Sequence, residues 1–259
     1  GDDFVLMDYS KLLNPTVVKI KPSGIRKFFD IAAEMEDVIA LGVGEPDFQT
    51  PWHIRQAGIK SLQDGKTKYT SNWGLSELRR AVCDYMREQV GVSYDPEHEI
   101  LISVGGSEAI DAAVRAIVGY GDEVLIVEPS FVCYEPIVRL AGGVPVIIPT
   151  KAENQFRLTA EELKSRITER TKLLILPYPG NPTGAIMERS DLEAIAEVLK
   201  NTDIAVVSDE IYSELTYTGN KHVSIASVGD MAERTVIING FSKTYSMTGW
   251  RLLKTDEAT

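Results

Sequence analysis

Short runs of β-branched and aliphatic residues alternate with helical patterns through most of this chain, and this alternation constrains the fold more than any other feature. Six runs are typical of strands, at residues 99–103, 123–128, 144–149, 172–178, 203–208 and 235–240. Their continuous apolar character suits strands that are buried on both faces of a parallel sheet. The sequence therefore predicts an α/β fold with a mostly parallel sheet flanked by helices.

The segments around these runs show helical periodicity. Residues 107–118 place apolar side chains at three- and four-residue spacing, and residues 51–65 and 75–89 are amphipathic in the same way. The first forty residues are expected to form an arm followed by a helix over 27–35, ahead of the sheet.

Two helix starts carry the pattern of a capping box. Thr159 is followed by Glu162, and Ser190 is followed by Glu193, each at the spacing that lets both side chains bond the other residue's backbone N–H. We expect a helix to begin at each of these positions.

Composition narrows the function classes. A net charge of −11 argues against nucleic acid and anionic membranes as partners, and no apolar run reaches the roughly 20 residues that span a bilayer. Cys83 and Cys133 form no CxxC pair, and His53, His98 and His222 belong to no metal-binding motif. We expect a cytoplasmic protein without a metal site.

Chemically distinctive residues follow five of the predicted strands. In chain order, the strands run into GGSEA, PSFVCY, PGNPTG, DEIY and FSKTY. Ligands bind beyond the carboxyl ends of the strands in open α/β sheets. One edge of the sheet is therefore expected to combine backbone amides, an aromatic ring, an amide, a carboxylate with a phenol, and a lysine.

Each of these residues also has an ordinary structural interpretation. Residues 105–107 could form a tight turn before a helix, and Asn181 fits common turn chemistry. Asp209 could cap a helix or be a buried ion-pair partner, Lys243 could be a solvated surface lysine, and Arg251 could pair with a surface acid. Their joint placement after successive strands, more than any single residue, favours a shared site.

The motifs GNPTG, SDEIY and SKTYSMTGWR, with LGVGEPDF and KYTSNWGLSELR upstream, carry a family resemblance. In this order and spacing they resemble the class I/II pyridoxal-phosphate-dependent aminotransferases of fold type I. The resemblance runs from about Gly24 to Arg251 and extends to the subgroup of aromatic aminotransferases that includes proteins labelled PatA.

The resemblance implies the following roles at the cofactor ring. Lys243 forms the covalent link to the aldehyde of pyridoxal 5'-phosphate and then moves a proton as a general acid–base. Asp209 keeps the pyridine nitrogen protonated. Asn181 and Tyr212 hydrogen-bond the phenolic oxygen of the ring, and Phe131 stacks on its face.

At the cofactor phosphate, the resemblance implies a clamp by Arg251 together with the backbone amides of Gly106 and Ser107. Tyr69 resembles the tyrosine that reaches the phosphate of the neighbouring subunit, which implies a homodimer with shared active sites. Gly240 stands where many relatives carry a phosphate-binding serine, so that contact is expected to be absent.

On the substrate side, the resemblance assigns Gly44, Ile25 and Tyr134. The substrates it implies are an amino acid and a 2-oxo acid. Aromatic donors follow from the subgroup, with other bulky or dicarboxylic donors left open.

The resemblance also implies a domain division. Residues 1–45 correspond to an N-terminal arm and part of a small domain, and residues 46–259 to the cofactor-binding large domain. After Arg251 the family continues into a C-terminal portion with most of the small domain and an arginine for the substrate carboxylate. Here LLKTDEAT follows instead, so we expect a truncated chain that binds the cofactor weakly or not at all and transaminates poorly.

Two alternatives to an aminotransferase remain open at this point. One is a pyridoxal-phosphate-dependent carbon–sulfur β-lyase on the same fold, and the other is a non-catalytic module that binds the cofactor. A dinucleotide-dependent oxidoreductase is excluded, because Gly42 and Gly44 are followed by EPDF without a third glycine or a strand-to-helix context.

Overall fold

The structure, a computed structural model, describes residues 8–21, 31, 35, 44–251 and 253–256. The chain divides into two units, Gly1–Gly44 and Glu45–Thr259. In the first unit the described elements are a 3₁₀ turn, Tyr9–Lys11, and the short helix α1, Pro15–Lys19. The predicted helix over 27–35 lies outside the described residues except for Ile31 and Met35.

The second unit is built on a seven-stranded sheet. Its strands are β1 (Ile100–Ser103), β2 (Glu123–Glu128), β3 (Val144–Pro149), β4 (Thr171–Leu176), β5 (Ala205–Asp209), β6 (Thr235–Gly240) and β7 (Leu253–Asp256). They lie in the order β1-β7-β6-β5-β4-β2-β3. Neighbours from β6 to β3 pair in parallel, whereas β7 runs antiparallel to both β1 and β6. All six predicted strands and the fold class are confirmed.

Strand β7 was not predicted. Its sequence, LKTD, has no run of apolar residues, so no local signal marks it as a strand. The partners on either side determine its place, because Leu253 lies opposite Ser103 of β1 and opposite Gly240 of β6. The carboxyl ends of β1 and β6 are thereby brought to the same edge of the sheet.

Helices follow most of the strands. Those that follow strands are α4 (Gly106–Ile117), α5 (Tyr134–Leu140), α6 (Ala160–Arg166), α7 (Arg189–Leu199) and α8 (Phe241–Thr244), whereas α2 (Trp52–Gln63) and α3 (Ser76–Tyr85) precede β1. α3 continues into one π-helical turn, Met86–Val90, which ends at Gly91 in the left-handed region. The helices predicted over 51–65, 75–89 and 107–118 are therefore confirmed, with small shifts at their ends.

One of the two predicted capping boxes is confirmed. Thr159 caps α6, and its hydroxyl accepts a 3.2 Å hydrogen bond from the Glu162 backbone N–H, while the Glu162 carboxylate accepts one of 3.0 Å from the Thr159 N–H. The box predicted at Ser190 is wrong.

Helix α7 instead begins two residues earlier than that box would place it. Glu188 is the N-cap, and its backbone N–H donates a 2.8 Å hydrogen bond to Asp191. Arg157 pairs with Glu188 at 3.4 Å and with Asp191 at 3.0 Å, and so holds both acids of the box in place. This distant cation is the physical reason that the local pattern at Ser190 does not determine the cap.

The core forms two apolar layers, one on each face of the sheet. Alternate residues of β2 divide between them: Leu125 packs in the layer under α6 and α7, whereas Val124 and Ile126 pack under α4 and α5. Burial of a large aliphatic side chain contributes about 1.5–3 kcal/mol, so these layers account for much of the stability. A smaller cluster joins α3 to Ile100 and Ile237.

No described helix combines the length and apolar character needed to span a membrane. Within the same residues, no group of histidine, cysteine, aspartate and glutamate side chains is placed to hold a metal ion.

Candidate active site

Three neighbouring parallel strands deliver the central side chains of the site. Asp209 is the last residue of β5, Asn181 lies in the loop after β4, and Lys243 lies on α8 directly after β6. Because β4, β5 and β6 are adjacent in the sheet, their carboxyl ends place these groups at one edge. The predicted convergence of strand ends is therefore present.

Lys243 is half-buried next to an aromatic ring. Its Nζ lies 5.6 Å from the centroid of the Tyr212 ring. Burial lowers the pKa of Lys243, the negative charge of Glu45 opposes that shift, and the positive charge of Arg251 adds to it. The net effect favours the neutral amine compared with an exposed lysine.

Asp209 is a buried carboxylate, only 7% exposed. One of its oxygens accepts a 2.7 Å hydrogen bond from the Tyr134 hydroxyl, and the other accepts one of 3.2 Å from the Ile211 backbone N–H. Burial raises its pKa, and the bonds from Tyr134 and Ile211 offset only part of that shift. Among the described residues, no lysine, arginine or histidine forms an ion pair with Asp209.

Asn181 and Tyr212 lie together beside this carboxylate. The Asn181 amide donates a 3.5 Å hydrogen bond to the Tyr212 hydroxyl. Burial raises the pKa of Tyr212, and the negative charge of Asp209 raises it further. Both groups are thus available as neutral hydrogen-bonding partners on one side of the site.

Two aromatic residues follow β2. Phe131 meets Tyr134 edge to face, with ring centroids 6.0 Å apart and an angle of 85°. Tyr134, predicted on the substrate side, is 2% exposed and donates to Asp209. Sequence reasoning missed this bond, because 75 residues separate the two and no spacing pattern links them.

The start of α4 and the guanidinium of Arg251 lie against each other. Gly105 has φ +90°, and a Cβ at that position would overlap the Arg251 guanidinium. Gly106 and Ser107 open the helix, so their backbone N–H groups have no partner within it. A bare glycine, a helix start and an arginine together form a small electropositive cradle of the kind that binds phosphate.

The loop after Lys243 is held by contacts that the sequence did not reveal. The Thr50 hydroxyl donates to the Ser246 carbonyl, and the Thr248 hydroxyl donates a 3.1 Å hydrogen bond to Glu45. Arg251 in turn donates a 3.1 Å hydrogen bond to the Thr248 carbonyl. The segment from Glu45 to Thr50 therefore braces the loop that carries the lysine and the arginine.

Three further predicted site residues precede the first strand of the sheet, β1. Tyr69 lies between α2 and α3 and is fully exposed. Gly44 ends the first unit, and Ile25 lies outside the described residues. Their predicted roles at the partner's phosphate and at the substrate stay predictions.

Comparison with known proteins identifies the family. Residues 36–252 match the family model described as aminotransferase class I and II. The chain belongs to this family. The motif-based prediction of the family is thus confirmed.

Individual members of the aminotransferase family are closely similar to this chain. An aspartate aminotransferase of Pyrococcus abyssi is 50% identical over 90% of the chain, and an aromatic-amino-acid aminotransferase 2 of Thermococcus litoralis is 45% identical over 93%. The crystal structure of Pyrococcus protein-A1 superposes with a TM-score of 0.90 at 47% identity over 93%. The chain spans 60% and 62% of the lengths of the two relatives, and 62% of the solved chain.

Proposed function

We propose that this chain carries the cofactor site of a pyridoxal-phosphate-dependent aminotransferase, which moves an amino group from an amino acid to a 2-oxo acid. The observation that carries the proposal is the placement of a half-buried lysine, Lys243, and a buried carboxylate, Asp209, at the ends of neighbouring strands. When bound, pyridoxal phosphate supplies an electron sink for negative charge at the substrate's α-carbon.

Asp209 fits the ring nitrogen of this cofactor. Removing a carboxylate from water is unfavourable unless a cation or hydrogen bonds compensate it, and the described residues offer only Tyr134 and Ile211. A protonated ring nitrogen would supply the missing positive charge. Asp209 would in return keep that nitrogen protonated.

Lys243 fits the covalent link and the proton transfer. Both tasks need a neutral amine, and burial favours that form by lowering the pKa of Lys243. Freed from the cofactor, the amine would carry the proton between the substrate's α-carbon and the cofactor. Its position on the short helix α8, directly after a buried strand, limits how far it can move.

The cradle of Gly105, Gly106, Ser107 and Arg251 fits the cofactor phosphate. Arg251 would offer a planar fork of donors, and the start of α4 would add backbone N–H groups and the positive end of the helix dipole. Absence of a side chain at Gly105 leaves room for the Arg251 guanidinium. The lysine and the cradle would then hold opposite ends of one small molecule.

The remaining ring contacts are assigned to three residues. Asn181 and Tyr212, which already share a hydrogen bond, would meet the phenolic oxygen. Phe131 would lie against the ring face, supported edge to face by Tyr134.

We also propose a homodimer in which Tyr69 completes the partner's site, in keeping with its full exposure.

The amino donor is proposed to be aromatic or dicarboxylic. The relatives named above include one aspartate and one aromatic-amino-acid aminotransferase, and both are similar to this chain at 45% identity or more. These names support the donor class without choosing between its members. Gly44, Ile25 and Tyr134 stay the proposed substrate-side residues.

A single-turnover assay tests the function. The chain, saturated with pyridoxal phosphate, is mixed with L-tyrosine, L-aspartate or a thioether amino acid, and the released 2-oxo acid is quantified against the chain. An aminotransferase releases one 2-oxo acid per chain and then stops until an acceptor 2-oxo acid is added. A β-lyase instead releases pyruvate and ammonia over many turnovers without an acceptor. D209A should abolish product formation, and D230A, at an exposed position, should not.

A further inference from the structure

The residue that follows Asp209 is a second buried carboxylate. Glu210 is 1% exposed. Its contacts are on the other face of the sheet from those of Asp209. Asp209 meets Tyr134, which belongs to the apolar layer under α4 and α5. Glu210 meets Ser224, whose neighbour Ile225 belongs to the layer under α6 and α7. The end of β5 thus delivers two consecutive carboxylates to opposite faces.

The Glu210 carboxylate is fully engaged. Oε2 lies 2.8 Å from Nε2 of His222, and Oε1 accepts hydrogen bonds from Ser224 at 2.6 Å and from Ser208 at 2.9 Å. The Glu210 backbone N–H also donates a 2.8 Å bond to the Ile238 carbonyl of β6. The residue next to Asp209 is therefore held from both its main chain and its side chain.

Glu210 and His222 lie 2.8 Å apart, and each favours the charged form of the other. Burial alone would raise the pKa of Glu210, but the positive charge of His222 and the hydrogen bonds outweigh it, so the pKa is lowered. Burial likewise opposes charge on His222, yet Glu210 holds the pKa of His222 above its ordinary value. The two charges cancel within the pair.

A buried ion pair is weak evidence for stability, since a well-packed apolar pair often serves as well. Its placement next to Asp209 gives it a more specific consequence. The negative charge of Glu210 is one of the causes that raise the pKa of Asp209, and that repulsion grows if nothing compensates Glu210. As long as it stays ionised, an uncompensated Glu210 would push Asp209 towards the protonated form, which cannot pair with a ring nitrogen cation.

We propose that Glu210 and His222 are positioning residues for Asp209: the pair fixes the end of β5 from the far face of the sheet and keeps the neighbouring negative charge compensated. This inference rests on the proposed function, in which Asp209 meets the cofactor's ring nitrogen. Neither residue touches the reacting groups, so neither is catalytic.

Other ionisable groups surround the pair and Asp209. Those that share the two clefts beside His222 are Tyr85, Glu188, Arg189, Glu214 and Lys221. Those that interact with Asp209 are Cys133, Tyr134 and Tyr212. None of them is altered in the variants below, so their contributions cancel in the comparison.

The test is the titration of the Asp209 carboxyl in the cofactor-free chain, followed by carbon-13 NMR with labelled aspartate and assigned with D209N. H222Q keeps a hydrogen-bond donor but removes the positive charge, and should raise the Asp209 midpoint by about one pH unit. E210Q/H222Q removes both charges and should return the midpoint to the parent value or below. S224A, which removes a hydrogen bond but no charge, should leave it close to the parent value.

An unchanged Asp209 midpoint in folded H222Q, or a shift of equal size in S224A, overturns the proposal. Where H222Q does not fold, E210Q decides the matter, since it should lower the Asp209 midpoint and an unchanged midpoint again overturns the proposal.

A second readout is the affinity for pyridoxal phosphate against pH, measured by absorbance. The acid-side fall in affinity should begin at higher pH in H222Q and recover in E210Q/H222Q. A parent chain that binds no cofactor contradicts the proposed function, and the carboxyl titration still decides the role of Glu210 and His222.

Discussion

The Tyr134 hydroxyl donates a 2.7 Å hydrogen bond to the Asp209 carboxylate, across 75 residues of sequence. Both groups are buried, so this bond is formed away from competing water. A hydrogen bond to a charged group contributes about 1.5–3 kcal/mol in such a setting. The bond links the aromatic segment after β2 to the carboxylate that ends β5.

Replacing Tyr134 by phenylalanine should weaken the binding of pyridoxal phosphate by about tenfold or more, the size expected for losing one charge-assisted hydrogen bond. Loss of the donor raises the pKa of Asp209 further, and the ionised form needed by the ring nitrogen becomes rarer. Absorbance titration of the cofactor measures the effect. Y217F, at a tyrosine that is 89% exposed, is the matched control and should bind as the parent does. Equal affinities for Y134F and Y217F would refute the link.

Lys243 should lose its proton at lower pH than an exposed lysine, because burial and the charge of Arg251 together lower its pKa below 10.5. Competitive acetylation of the cofactor-free chain across pH, with peptide mass spectrometry, gives the midpoint for each lysine. N-α-acetyl-lysine amide, titrated alongside, is the reference. R251Q should move the Lys243 midpoint upward. The prediction fails if the Lys243 midpoint matches or exceeds that of the reference.

Gly105→Ala should impair both folding and phosphate binding. The residue has φ +90°, where a side chain is strained, and its Cβ would displace the Arg251 guanidinium. Gly65 has φ +69° with open space around its Cβ position, so G65A carries the backbone strain alone. Both variants should lose about 1 kcal/mol or more in urea unfolding, and only G105A should also weaken cofactor binding. Intact cofactor binding in G105A would argue against the cradle.

The corrected start of α7 predicts a contrast between two neighbouring substitutions. E188A should lower the free energy of unfolding by about 1 kcal/mol, the usual effect of losing an N-cap, with the contact to Arg157 lost as well. S190A should change it by less than about 0.5 kcal/mol. Urea unfolding followed by circular dichroism measures both. A larger loss of unfolding free energy in S190A than in E188A would contradict a cap at Glu188 and support the cap predicted at Ser190.

Features that depend on local residue order were predictable. The six apolar runs identified β1 to β6, since burial on both faces leaves a continuous local pattern. Thr159 and Glu162 marked a helix start because a capping box joins two residues that are three positions apart in the sequence. Family motifs likewise pointed to Asp209, Asn181 and Lys243, which three neighbouring strands bring to one edge.

Features that depend on distant partners were not predictable. Strand β7 has a polar sequence and owes its place to pairing with β1 and β6. The true cap of α7 depends on Arg157, more than thirty residues upstream in the chain. Likewise, the ion pair of Glu210 with His222 spans 12 residues that show no helical or strand period. Each of these three features depends on a partner that only the folded chain brings close.

The central claim is that Lys243 holds the cofactor, and mapping of a trapped adduct tests it most directly. The chain is incubated with saturating pyridoxal phosphate, reduced with borohydride, and examined by intact mass and peptide mapping, beside K243A and the surface control K200A. Saturating cofactor and covalent trapping detect even the weak binding expected from the sequence, and we predict an adduct on Lys243 that is absent from K243A and unchanged in K200A. A folded chain with no adduct on Lys243, or with the label spread over surface lysines and equal in K243A, would contradict the account.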